Sequence, residues 1–160
     1  MTFYHAPKKC GYDTSNQRLF FIGENEETKI ACMKYGKPEI GPLILYSHAN
    51  ATDIGYIDGY LAKLSRDMGI NIISYDYPGY GLSPGIPSES EVLRAIQSVM
   101  NYLISVGKYK SSDIILYGAS IGTGPSVYIA SLDDQIKGVL LQTPYTSICV
   151  CASKYLEYAC

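Results

Sequence analysis

Apolar and polar positions follow two different rhythms along this chain. Leu43–Ser47, Asn71–Tyr75, Ile114–Tyr117 and Lys137–Leu141 are short runs of mostly branched, apolar or aromatic residues. Runs of that kind suit strands buried on both faces of a parallel sheet. Between them the spacing is helical. Tyr60, Leu61, Leu64 and Met68 recur at helix intervals within Tyr56–Met68, and Gly69 follows as a terminator. Val92, Ile96, Val99, Met100 and Leu103 form a second such stripe, ended by Gly107. Ser88 and Glu91 just ahead of it have the spacing of a capping box. A third helical segment runs from the Gly-rich stretch after Tyr117 to about Leu132.

The opening third reads differently. Met1–Tyr12 has no periodicity and forms an irregular lead-in, in which His5 is polar surface. Arg18–Ile22 and Thr28–Tyr35, separated by Gly23-Glu24-Asn25-Glu26-Glu27, predict a hairpin of two antiparallel strands. Strands that alternate with helices after such a hairpin define an α/β class, with about six strands, a mainly parallel sheet and flanking helices.

Composition narrows the classes of function. A chain of 160 residues with 47% apolar content can build one core. With 13 Lys and Arg against 15 Asp and Glu there is no basic block for nucleic acid, and no motif calls for a cofactor or a metal. The 16 tyrosines, without a tryptophan, are spread along the chain and read as half-buried packing residues. Cys10, Cys32, Cys149, Cys151 and Cys160 show no metal-type pairing, and the start of the chain has no signal pattern. A cytoplasmic setting follows as the expectation, with the terminal cysteines as buried thiols rather than acylation sites. No apolar run is long enough to span a bilayer, which leaves peripheral membrane association open.

The candidate chemistry lies in Gly118-Ala119-Ser120-Ile121-Gly122. It sits between a buried strand and a helical segment, the setting that gives a Gly-x-Ser-x-Gly pattern its meaning. A turn this sharp strains its central residue and leaves no room for side chains beside it, so Gly118 and Gly122 have a mechanical role. Ser120 would then project above the sheet edge as a nucleophile, with the N–H of Ile121 aimed at any oxyanion formed there. His48-Ala49-Asn50-Ala51-Thr52-Asp53 follows another strand and lies at the same edge if the strands are parallel. Backbone N–H groups near Asn50 are therefore the candidates for the second oxyanion donor. His48 and Ala49 brace the loop, and Asp76, at a third strand end, pins loop backbone through N–H bonds. Asn50-Ala51-Thr52 also matches a glycosylation acceptor, read here as a chance match.

These motifs, in this order, together with Tyr75-Asp76-Tyr77-Pro78-Gly79-Tyr80-Gly81-Leu82-Ser83, resemble the α/β-hydrolase fold. More narrowly, the stretch from Phe20 to Pro144 resembles the α/β-hydrolase domain-containing group seventeen, serine hydrolases that remove palmitoyl groups from proteins. The resemblance implies hydrolysis of an ester or thioester in an acylated protein or a small acyl ester. Ala49 stands where that group has glycine, and its cysteine-rich N-terminal segment is absent. The resemblance also implies a triad acid and histidine at the ends of two later strands. After Ser120 the chain has Asp133, Asp134, Glu157 and no histidine, and Asp133 and Asp134 fall at the opposite sheet edge. The expectation is thus a single α/β-hydrolase domain over residues 1–160, the N-terminal two-thirds of the usual fold with its C-terminal strands missing. It would carry a nucleophile and an oxyanion hole without a base, and an apolar last strand open to self-association. The competing reading is a catalytically inactive scaffold that binds or regulates a partner. A general carboxylesterase or a peptidase on the same fold remains an alternative, as does completion of the site by a second chain.

Overall fold

A computed structural model describes residues 4–23, 25–37 and 41–147. The sheet has six strands: β1 (Leu19–Ile22), β2 (Ile30–Tyr35), β3 (Leu43–Ser47), β4 (Asn71–Tyr75), β5 (Ile114–Ala119) and β6 (Gly138–Gln142). In space they run β1-β2-β4-β3-β5-β6. β1 pairs antiparallel with β2 and β2 antiparallel with β4, while β4-β3, β3-β5 and β5-β6 are parallel. The opening hairpin and the parallel core expected from the sequence are both present.

Strand parity sorts the core into two layers. Leu43, Leu45, Ile73, Tyr75, Ile114 and Leu116 face α2 (Glu89–Ser105) and α3 (Thr123–Leu132). Ile44, Tyr46, Ile72, Met33 and Tyr35 face α1 (Asp58–Met68), which contributes Leu61. Helices on both faces bury β3 and β4 at every position. α2 turns Val92, Ala95, Ile96, Val99, Met100 and Leu103 into the core, and its Ser88 side chain accepts from the N–H of Glu91 as the capping box required. α1 ends at Gly69 in the left-handed conformation (φ 63). It starts at Asp58 rather than Tyr56, because the preceding residues form turns around the buried Asp53 carboxylate.

The spatial order reverses at β3. The connection after β3 feeds α1 on one face of the sheet, whereas the connection after neighbouring β5 feeds α3 on the other. Two adjacent loops that leave in opposite directions open a crevice at the carboxyl ends of the strands, where doubly wound sheets place their ligands. β6 is different. Despite its apolar sequence, Val139, Leu140 and Leu141 are 38–49% exposed, and it forms the open margin of the sheet among the described residues. Asp133 and Asp134 precede β6 and thus lie at the opposite edge from the crevice. Cys149, Cys151, Cys160 and Glu157 lie outside the described residues.

Candidate active site

β5 carries its pairing through Ala119 before the chain turns sharply. Ser120 sits at φ 51, a left-handed conformation that costs a non-glycine residue on the order of 1–3 kcal/mol. Close approach on both sides holds it there. A Cβ on Gly118 would lie 2.6 Å from the Cα of Thr123, and one on Gly122 2.6 Å from the carbonyl carbon of Ser47 and 2.9 Å from the oxygen of His48. The flanking glycines are therefore demanded by packing of the turn against its own helix and against the end of β3. Ser120–Gly122 form one 3-10 turn, and α3 begins only at Thr123, so Ile121 lies in the 3-10 turn rather than in the helix. The Thr123 hydroxyl donates to the Ser120 carbonyl oxygen at 2.7 Å, which fastens the turn beneath the half-buried serine.

The contact through Gly122 places the loop after β3 directly beside this turn. Its members are held one by one. The Tyr75 hydroxyl lies 2.8 Å from Ser47 Oγ, and the Tyr77 hydroxyl donates to the His48 carbonyl oxygen at 2.6 Å. His48, with no solvent exposure, turns Nδ1 to the carbonyl of Ala49 at 2.7 Å. Because a carbonyl only accepts, that nitrogen carries the proton. Nε2 lies 3.3 Å from Asp76 Oδ1 without the alignment of a hydrogen bond. His48 is thus tied into its own loop. Ala49 is not among the residues at positive φ, so the alanine is accommodated without strain. The side-chain oxygen of Asn50 accepts from the Tyr80 hydroxyl at 2.7 Å, the His5 N–H at 2.9 Å and the Ala51 N–H at 3.1 Å.

Two buried carboxylates complete the frame. Asp76 accepts from the Ile54 N–H at 3.0 Å and from the Tyr12 hydroxyl, which itself accepts from the Leu82 N–H. Asp53 accepts from the N–H groups of Gly11, Gly55 and Tyr56 at 2.8, 2.9 and 3.1 Å. The backbone N–H that Asp76 holds, that of Ile54, belongs to the neighbouring loop. The lead-in is no loose segment either. Residues 5–12 strap across both loops through His5, Gly11 and Tyr12, with the Ala51 N–H returning a bond to the His5 carbonyl. Aperiodic sequence gave no hint of this. Asp53-x-Gly55 is the one local signal, since that spacing favours a side chain that caps its own turn.

Tyr75, Tyr77 and Tyr80 are fully buried rather than half-buried. Burial pushes all three phenols above their ordinary range, with Ser47 partly offsetting the rise at Tyr75. Each therefore remains a neutral hydroxyl, and those of Tyr77 and Tyr80 donate. No side chain among the described residues joins Ser120 Oγ in a hydrogen bond with an imidazole: His48 is committed to its own loop, and exposed His5 is tied through its backbone.

A model described as Chlamydia CHLPS protein (DUF818) matches residues 43–143, the segment that builds this edge. An α/β-hydrolase domain-containing protein, aho-3 of Caenorhabditis elegans, is 41% identical over 104 residues, 65% of this chain and 31% of its own length. α/β-Hydrolase domain-containing protein 17B of Homo sapiens is 35% identical over 129 residues, 80% of this chain and 44% of its own. Protein 17C of Mus musculus is 33% identical over 149 residues, 89% and 46% respectively. The chain thus spans less than half the length of these curated relatives. Among solved structures, an α/β-hydrolase from Vibrio vulnificus aligns with a TM-score of 0.67 at 22% identity, covering 85% of this chain and 49% of that one. A thioesterase domain from the curacin biosynthetic pathway aligns with a TM-score of 0.63 at 22% identity, covering 88% and 52%. Strand order, serine turn and sequence similarity converge, and the chain belongs to the family described as Chlamydia CHLPS protein (DUF818), with the α/β-hydrolase fold and curated relatives among the α/β-hydrolase domain-containing proteins 17.

Proposed function

We propose that this chain carries the acyl-transfer half of a serine hydrolase acting on ester or thioester bonds, with Ser120 as its nucleophile. The observation that carries the reading is the strained turn itself. A half-buried serine held at φ 51 between packing-required glycines, at the switch point of the sheet, has the backbone setting of a nucleophile on a strand-to-helix turn. In the first step Ser120 Oγ forms a bond to that carbon and the carbonyl electron pair moves onto oxygen. The N–H groups of Ile121 and Asn50 are the donors this reading assigns to the resulting oxyanion. Collapse expels a thiol or alcohol, and water then releases the acid. The serine proton passes to a base that the described residues do not supply, such as water or an added imidazole. His48 is not assigned as the acceptor, because it has no solvent exposure and its Nε2 lies 3.3 Å from Asp76 Oδ1.

The thioester preference, and protein S-depalmitoylation in particular, rests on the likeness to the 17B and 17C proteins. With it goes the proposal of an acylated-protein substrate in the cytoplasm or at a membrane surface. No helix among the described residues is long and apolar enough to cross a bilayer. Intact-mass analysis after exposure to a fluorophosphonate, with free imidazole in the buffer as base, tests the chemistry. One adduct on the wild-type chain, absent from Ser120→Ala, is expected; an adduct that persists in Ser120→Ala overturns the assignment. Turnover of a palmitoyl thioester faster than of the matching ester supports the substrate class, and the reverse order counts against it.

A second reading has its own support. With two histidines in the chain, one buried as a brace and the other tied into the strap, the scaffold fits a binding or regulatory protein that has lost hydrolysis. It predicts that Ser120→Ala retains partner binding in full.

A further inference from the structure

From the hydrogen bonds around the loop after β3, we infer that Tyr77 and Tyr80 are positioning residues for the oxyanion-binding loop, acting on it through their hydroxyls. This rests on the hydrolase reading and extends it to groups outside both motif glycines and nucleophile.

The geometry is specific. An oxyanion donor is useful only if its N–H direction is set before the charge develops, because reorganisation during the reaction forfeits the gain. In a planar trans peptide the carbonyl and the next N–H point in opposite directions, so fixing one fixes the other. The Tyr77 hydroxyl fixes the carbonyl of His48, and hence the N–H of Ala49, with a bond of 2.6 Å. His48 Nδ1 does the same for the Ala49 carbonyl and hence the Asn50 N–H. The Tyr80 hydroxyl then locks the Asn50 side chain, whose oxygen also gathers the N–H groups of His5 and Ala51. The segment just past β4 thus sets one peptide plane of the loop through Tyr77 and holds the Asn50 side chain through Tyr80, while His48, stacked on Tyr77, sets the plane that carries the Asn50 N–H.

The aromatic rings reinforce this. His48 stacks on Tyr77 at a centroid distance of 4.2 Å, and Tyr80 packs 5.4 Å from both His48 and Tyr77. A tyrosine-to-phenylalanine change keeps those contacts and deletes only the hydroxyl. Tyr75 provides an internal control. It is equally buried, but its hydroxyl meets the Ser47 side chain instead of the peptide planes of the loop.

The test is the two-parameter kinetics of fluorophosphonate labelling at Ser120, in imidazole buffer, for wild type, Tyr75→Phe, Tyr77→Phe and Tyr80→Phe. Thermal unfolding is followed in parallel. Expected is a fall on the order of ten-fold in the maximal labelling rate for Tyr77→Phe and Tyr80→Phe, with the half-saturating probe concentration unchanged. Tyr75→Phe should lower the melting temperature without that fall. Maximal rates for Tyr77→Phe and Tyr80→Phe that match Tyr75→Phe overturn the inference while leaving the nucleophile standing. Should Tyr77→Phe fail to fold, Asn50→Ala supplies the same test, since it keeps the backbone N–H and removes the oxygen that Tyr80 holds. The double variant Asn50→Ala/Tyr80→Phe should then be no slower than Asn50→Ala; additive losses overturn the shared route. A wild-type chain that takes no label at Ser120 overturns the hydrolase reading and this inference together.

Discussion

β3 and β6 are both five-residue apolar strands, yet one is buried at every position and the other is exposed over most of its length. Leu45 on β3 has no solvent exposure, whereas Leu140 on β6 is 49% exposed. Neighbours make the difference. β3 has β4 on one side, β5 on the other, and helices on both faces, while β6 pairs only with β5 among the described residues. The same hydrophobic code is core in the middle of the sheet and an open margin at its edge. The loops after β3 and β4 belong to the finished part, which explains how they can be held so tightly.

The sharpest break of this comparison is a single glycine change. Gly122→Ala puts a methyl group into the backbone at the end of β3, where neither side can yield. A loss of about 3 kcal/mol or more is expected, read as a melting temperature lowered by roughly 10 °C or as failure to express soluble protein. Next in size is Leu45→Ala, which empties a buried position and should cost about 2–5 kcal/mol in denaturant unfolding. Leu140→Ala, by contrast, should stay within about 0.5 kcal/mol. Equal costs for the two leucines would mean that β6 is covered in solution.

Smaller effects sharpen the picture in the finished part. Tyr12→Phe leaves the Asp76 carboxylate and the Leu82 N–H each short of a partner, at a cost of about 1–3 kcal/mol in chemical denaturation. Alkaline pH acts on the same region. Burial pushes Tyr46 up to about 12 and raises Tyr75, Tyr77 and Tyr80 above their ordinary range as well, so the folded state keeps protons that the unfolded chain releases near pH 10. Stability should be fully present below about pH 10 and decline as pH rises beyond it, seen as a falling denaturation midpoint. A midpoint that stays flat to pH 11 would contradict the burial of those phenols. The smallest effect belongs to the open margin. Gly138→Ala meets no atom within 4 Å and should shift stability by no more than about 0.5 kcal/mol.

Local physics accounts for what the sequence by itself determined. Ser88 and Glu91 predicted a cap because it is made within four residues, and Gly118, Ser120 and Gly122 marked the turn because no other spacing fits a strand entering a helix so abruptly. The α/β class followed from runs of different period, which need no knowledge of partners. Tertiary structure decided everything that depends on residues far apart in the chain. Asp53 reaches back to Gly11, Asp76 to Tyr12 and Tyr80 to Asn50, each across tens of residues, and no period or spacing encodes such a pairing. The buried tyrosines carried the same local signature as tyrosines on the surface; only the packed loops gave their hydroxyls a carbonyl or amide to hold. In the same way, alternation and apolarity wrote β3 and β6 alike, and burial was settled by what came to lie beside them.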